Sequence, residues 1–151
     1  HIDGVATYVA PGEVACIWTD DTEHPYYQVA QDAFTTLSTA TDAKGRKLKV
    51  HKLCMGANPI ALDPAAAATI DTVDTAKERT SDYEVMIYLN FLIVNGGVIV
   101  PQYDDPNDEL AIEQIQGMFP DREIVGVNTT QILYGGGNIH CITQQQPAVK
   151  K

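Results

Sequence analysis

An internal repeat limits what this chain can fold into more than any other feature. Residues 5–10 and 14–18 read as short strands rich in β-branched and aromatic residues, joined by the turn Pro11-Gly12-Glu13. A helix is expected from His24-Pro25 to about Leu37, with proline near its first turn, and residues 48–53 alternate like a third strand. The order then returns. Residues 87–94 and 98–101 read as strands around Asn95-Gly96-Gly97, residues 108–118 as a helix, and residues 122–127 as the closing strand. Gly12 and Gly96 lie 96 − 12 = 84 positions apart, and Asp20-Asp21 and Asp104-Asp105 lie 104 − 20 = 84 apart. Two landmarks at one offset predict an α/β chain of ββαβ units. Two such units do not easily close a structure, so further copies are expected upstream of His1.

The details follow from this unit. Val14-Ala15-Cys16-Ile17-Trp18 is a continuous apolar run, which suits a strand covered on both faces. Tyr27, Ala30, Phe34 and Leu37 recur at helical spacing and should face the core. The paired aspartates stand at the same place in each copy, which favours helix entry over catalysis. Residues 54–84, with Asn58-Pro59, Asp63-Pro64 and Ala65-Ala66-Ala67-Ala68, have no clear period. They are read as a long connection bordering the site, with a variable surface insertion as the other reading.

Charge and cysteine usage narrow the function. The 151 residues carry a net charge of −10, which argues against nucleic acid or an anionic membrane and suits a cationic ligand. No apolar run approaches a membrane span. Hydrophobic residues make up 44%, enough for a core. Three cysteines, Cys16, Cys54 and Cys141, are too few and odd in number for a disulfide framework, which places the chain in a reducing compartment, the cytoplasm.

The chemistry gathers at the two ends. Gly135-Gly136-Gly137-Asn138-Ile139-His140-Cys141 is a glycine-rich turn that delivers a cysteine, as nucleophiles are often presented. It is equally a turn leading into a strand with a small buried thiol. On a strand, His140 and Cys141 would point to opposite faces, whereas His1 and Asp3 would share one. His1 is therefore the candidate base for Cys141, Asp3 could orient it and bind a cation, and His140 is assigned a structural place. A zinc site of His, Asp and Cys competes, but the chain has no C-x-x-C or H-E-x-x-H pair. His24 reads as a helix-entry residue, His51 as solvent-facing, Cys16 as core, Cys54 as loop and Trp18 as core.

With these residues assembled, the chain resembles the C-terminal part of the agmatine deiminases, in the guanidine-modifying pentein superfamily. The likeness rests on His1-Ile2-Asp3, Pro11-Gly12-Glu13-Val14, Trp18-Thr19-Asp20-Asp21 with His24-Pro25, residues 40–53, Asn90-Phe91, Asp105-Pro106-Asn107-Asp108, Phe119-Pro120-Asp121-Arg122, and above all residues 135–147. It is weakest over residues 54–86, where Val85-Met86-Ile87 replaces a small-residue run. The resemblance implies a five-bladed α/β propeller. Residues 1–151 would be the C-terminal portion of one catalytic domain, with units at about 1–53 and 85–147 joined by 54–84.

It also implies a mechanism. Cys141 would attack the guanidinium carbon of agmatine, and His1 would protonate the departing ammonia and then activate water. Asp3 would hold two guanidinium nitrogens, and Gly136 and Gly137 would admit the flat cation. The products would be N-carbamoylputrescine, a putrescine precursor, and ammonia, with no metal or organic cofactor. The family's other acidic residues precede its HxD motif, so this chain alone is expected to form an incomplete, inactive site that needs the N-terminal segment of the same domain. Nucleic acid and membrane are not expected partners, and a homo-oligomer is left open. Two alternatives remain at this point: a bacterial-type peptidylarginine deiminase and a non-catalytic cation-binding module.

Overall fold

Both expected units form. In the computed structural model, residues 1–61, 63–68 and 83–147 are described. The first unit comprises β1 (Ala6–Ala10), β2 (Glu13–Trp18), α1 (Tyr27–Thr39) and β3 (Lys49–Cys54). The connection contributes β4 (Ile60–Ala61), the short helix α2 (Pro64–Ala67) and β5 (Tyr83–Glu84). The second unit comprises β6 (Leu92–Val94), β7 (Gly97–Gln102), α3 (Asp108–Met118) and β8 (Glu123–Asn128), and α4 (Thr130–Leu133) follows. In each unit the first two strands pair antiparallel and the third, reached through the helix, pairs parallel with the second. A parallel partner requires such a crossover. The result is an α/β fold with mixed sheets, in the strand orders β1-β2-β3 and β6-β7-β8.

The offset found in the sequence belongs to the central strands. β2 and β7 begin 97 − 13 = 84 positions apart and end 102 − 18 = 84 apart. Gly12 and Gly96 occupy the same corner of each hairpin with φ of 85° and 78°. Short hairpin turns need left-handed backbone there, which glycine adopts without Cβ strain. Pro101 lies in β7, yet the paired stretch of β6 covers only Gly97 to Ile99. Its missing N–H therefore interrupts no bond to β6.

One core serves both units. Ala15, Ile17 and Leu53 from the first sheet join Val98 and Val100 from the second and Ala111 and Ile115 from α3, together with Tyr88, Leu89 and Phe91. Each fully buried Ile, Leu or Val side chain contributes roughly 1.5–3 kcal/mol. β2 is buried from Val14 to Ile17, as its apolar run predicts.

Several local expectations are corrected. Of residues 87–94, only Leu92–Val94 is strand. The preceding backbone is satisfied elsewhere: the Tyr103 hydroxyl donates to the Ile87 carbonyl at 3.1 Å and the Gly56 N–H to the Met86 carbonyl at 2.8 Å. His51 is half-buried, not solvent-facing, with Nε2 2.7 Å from Glu13 Oε2, which also accepts from Lys49 Nζ at 3.0 Å. Cys54 ends β3 and is not a loop residue. On α1 only Ala30 is fully buried, while Tyr27, Phe34 and Leu37 are half-buried. Phe34 meets Trp18 edge-on at 5.1 Å, and Lys52 Nζ lies 3.3 Å from the Trp18 ring centroid, so Trp18 is a half-buried stack and not core. The expectation for 54–84 falls partly on residues 62 and 69–82, outside the described residues.

The connection is nonetheless anchored at both described ends. A Cβ at buried Gly56 would stand 2.5 Å from Met86 Cβ and 2.6 Å from Met86 Cε. Gly56→Ala is expected to lower stability by about 1–3 kcal/mol through this overlap, read as a lower urea midpoint at unchanged m-value.

Candidate active site

The two chemically interesting ends meet at one carboxylate. Residues Ile2–Gly4 form a 3-10 turn and not a strand, closed by Gly4 N–H to the His1 carbonyl and Val5 N–H to the Ile2 carbonyl. Asp3 Oδ2 accepts from the Cys141 thiol at 3.2 Å and from His140 Nδ1 at 2.9 Å. Residues 139–142 are likewise turns, with Ile142 N–H bonded to the Asn138 carbonyl and Thr143 N–H to the His140 carbonyl. His140 and Cys141 would face opposite ways on a strand, but in this turn they do not. Both side chains reach the same oxygen. His1, Asp3, Gly136, Gly137 and Cys141 all line one cavity of about 190 Å³, so every sequence-predicted site residue is brought together, and His140 is added.

Local chemistry explains the placement. Gly137 passes so close to the thiol that a Cβ there would lie 2.8 Å from Cys141 Cβ and 2.9 Å from its Sγ. Gly136 has a φ of 84°, the left-handed region. Asn138 is buried, donates to the Tyr103 hydroxyl at 3.0 Å and accepts from the Ile139 N–H at 2.9 Å. Val85 and Ile87 fill the wall that the sequence left open, and Tyr26 lines it too.

Electrostatics separate the three thiols. Burial pushes Cys16 up to about 11 and Cys54 up to about 12, the latter with help from Asp105. Both are thereby held as neutral thiols. Cys141 is exposed at the cavity. Burial works to raise the Asp3 carboxyl, but hydrogen bonds from Cys141, His140 and Asn90, and the His140 charge, outweigh it and hold it below its ordinary value. Among the described residues, no three or more His, Cys, Asp or Glu side chains are arranged to hold a metal ion. His24 sits at the entry to α1, accepting from the Tyr26 N–H at its Nδ1, 3.1 Å away.

The sequence model of the Porphyromonas-type peptidyl-arginine deiminases matches residues 1–147. The chain belongs to this family. Among its family relatives is a Streptococcus mutans protein provisionally named an agmatine deiminase, 61% identical over 149 residues, covering 98% of this chain and 40% of that protein. A solved agmatine deiminase of Enterococcus faecalis superimposes with a TM-score of 0.88 at 55% identity, over 97% of this chain and 40% of that one. A solved Porphyromonas gingivalis protein, provisionally named an arginine deiminase, has a TM-score of 0.77 at 28% identity, over 97% and 38%. The chain thus spans about 40% of the length of the relatives it matches.

Within this family member, Asn90 is the site residue that sequence reasoning passed over. It is buried at 5% exposure among apolar neighbours, and its bonds to the Asp3 carbonyl and the Cys141 N–H are to backbone groups, which leave no residue pattern to detect.

Two outcomes follow from the geometry. Gly137→Ala is expected to cost about 1–3 kcal/mol and to change the rate of Cys141 alkylation, because the new methyl must displace the thiol. The Asp3 shift also sets a pH dependence. A carboxyl held low contributes stability that is full above about pH 3.9 and is lost as the pH falls through the lower folded value. Acid unfolding followed by circular dichroism should therefore be shallower in that range for Asp3→Asn.

Proposed function

We propose that this chain carries the nucleophile and the acid–base pair of a guanidine deiminase, with agmatine as the substrate. The observation that supports this most directly is the single oxygen, Asp3 Oδ2, that receives the Cys141 thiol and His140 Nδ1 on a cavity also lined by His1. The agmatine deiminase names of relatives at 45–61% identity, against 28% for the structure named for arginine, favour agmatine over arginine as the substrate. The two ββαβ units are read as two blades of a five-bladed α/β propeller.

In the resting arrangement the thiol donates to Asp3. A guanidinium entering past Gly136 and Gly137 offers Asp3 two N–H donors and displaces the thiol from it. The sulfur then loses an anionic neighbour and gains a cationic one, which favours transfer of its proton to His1 and leaves the thiolate. The thiolate forms a C–S bond to the guanidinium carbon, giving a neutral tetrahedral adduct. Protonated His1 gives its proton to one nitrogen, the C–N bond breaks, and ammonia leaves a thiouronium cation. Neutral His1 takes a proton from water as it attacks that carbon, the C–S bond breaks as the adduct's hydroxyl proton passes to sulfur, and the ureido product leaves the thiol restored while His1 gives its proton to the released ammonia. His140, held at Nδ1 by Asp3, keeps the carboxylate oriented. No metal or organic cofactor enters this scheme.

The test is turnover by the intact protein of agmatine against a peptide with C-terminal arginine, following ammonia and ureido product. Agmatine is expected to give the larger kcat/KM, and preference for the peptide would sink the agmatine assignment. Cys141→Ala should lower turnover by about three orders of magnitude or more. Retained turnover would remove Cys141 from the mechanism. A Cys141 that guanidines do not protect from alkylation would favour a non-catalytic module.

A further inference from the structure

His24 is a buried histidine that the mechanism does not use. It lines a second cavity, of about 320 Å³, with Asp20, Asp21, Lys52 and Cys54. Tyr26, two positions on, lines the cavity that holds Cys141. The two residues are tied together: His24 Nδ1 accepts from the Tyr26 N–H at 3.1 Å, and their rings meet edge-on with centroids 6.5 Å apart. A backbone N–H can only donate, so Nδ1 must carry its lone pair and the neutral ring's proton sits on Nε2. That Nε2 is buried and has no hydrogen-bond partner among the described residues, in a side chain whose residue is only 8% exposed. Tyr26 in turn opens α1, its carbonyl accepting from the Ala30 N–H at 2.9 Å.

We infer that His24 is a positioning residue: its unprotonated Nδ1 holds Tyr26 at the wall of the Cys141 cavity, and protonation of the ring releases it. The consequence for turnover rests on the deiminase reading, whereas the bond itself does not. A ring protonated at both nitrogens turns an N–H toward the Tyr26 N–H, so the bond is lost and two donors face each other. The groups around the ring come from three places. Asp20 and Asp21, after β2, favour the protonated ring, and Lys52 of β3 opposes it. Cys54, also of β3, is a neutral thiol. Asn107, Leu110 and Gln114, at the entry to α3 and along it, carry no charge. Burial outweighs the Asp21 charge and keeps the His24 ring neutral to below its ordinary range. Tyr26 is therefore held at neutral pH and freed on acidification.

The experiment compares wild type, His24→Asn and His24→Leu in the intact protein by thermal melting, by agmatine kinetics from about pH 5 to about pH 8, and by NMR of the Tyr26 amide over the same range. Asparagine keeps an acceptor that does not titrate, because its Oδ1 can take the N–H two residues on, as in an Asx turn. Leucine fills the space without an acceptor. At about pH 8, His24→Leu is expected to fold and to lose about tenfold in kcat/KM, and His24→Asn to stay within about threefold of wild type. Below about pH 6.5 the wild type should fall away from His24→Asn by about tenfold. Over that interval the Tyr26 amide signal should move in wild type and stay in place in His24→Asn. A role in stability alone predicts a lower melting temperature for His24→Leu with kcat/KM per folded molecule within about twofold. That result, superimposable pH profiles of wild type and His24→Asn, or a stationary Tyr26 amide in wild type would each overturn the inference. Should His24→Leu not fold, wild type against His24→Asn carries the same comparison. If wild type turns over no guanidine, the deiminase reading fails, whereas the Tyr26 amide titration still decides whether His24 holds it.

Discussion

Everything at the site depends on one oxygen accepting two hydrogen bonds. Asp3 Oδ2 ties a turn at the start of the chain to a turn that begins more than 130 residues later. A carboxylate that accepts from a thiol and an imidazole is favoured in its charged form, so the same bonds that build the site keep it negative. The same charge stands beside the Cys141 sulfur, so the meeting of the two turns also sets what surrounds that thiol.

The repeat makes this convergence possible. Each ββαβ unit leaves its central strand buried between partners, and the shared core packs Ile17 and Leu53 of one sheet with Val98 and Val100 of the other and Ile115 of α3. The site is assembled from what precedes and follows these units and from the segment between them: the Asp3 turn before β1, the Cys141 turn after α4, and residues 85–90 before β6. Loops on rigid supports commonly carry the chemistry. Here the support is fastened twice more. Tyr88 donates to Asp108 at 2.8 Å, and Asn138 donates to Tyr103, whose hydroxyl in turn holds the Ile87 carbonyl.

The parts legible in the sequence were those with a period or a conformational requirement. The hairpin glycines recur because both corners need left-handed backbone, and the central strands are apolar because both faces are covered. The α3 limits were readable because Asp105-Pro106 precedes a regular run of helix formers. The short polar and apolar run at 139–143 had no such signature. Four or five residues of alternation fit a strand or a pair of turns equally well, and only Asn90 and Asn138, bonding to its backbone, decide for turns. The strand expected at 87–94 failed for a related reason. Tyr88, Leu89 and Phe91 are buried, as strand residues would be, but Tyr103 takes up the Ile87 carbonyl and Gly56 the Met86 carbonyl just before it.

The same distinction explains why histidines were harder to place than the cysteine. Cys141 could be ranked above Cys16 and Cys54 from its glycine neighbours, and burial separates the three in the fold. An imidazole carries no comparable local mark. His51 reaches across a parallel pair to Glu13, and His140 reaches Asp3 at the other end of the chain. Both contacts are long in sequence and depend on register: His51 lies beside Ala15 of β2, within reach of Glu13 two positions earlier. A side chain whose partner is set by strand register or by the meeting of two turns becomes assignable only once those are known. Identity at position 3 alone would not have revealed that Asp3 serves both His140 and Cys141, because that sharing is created by the turns that bring the two residues to one oxygen.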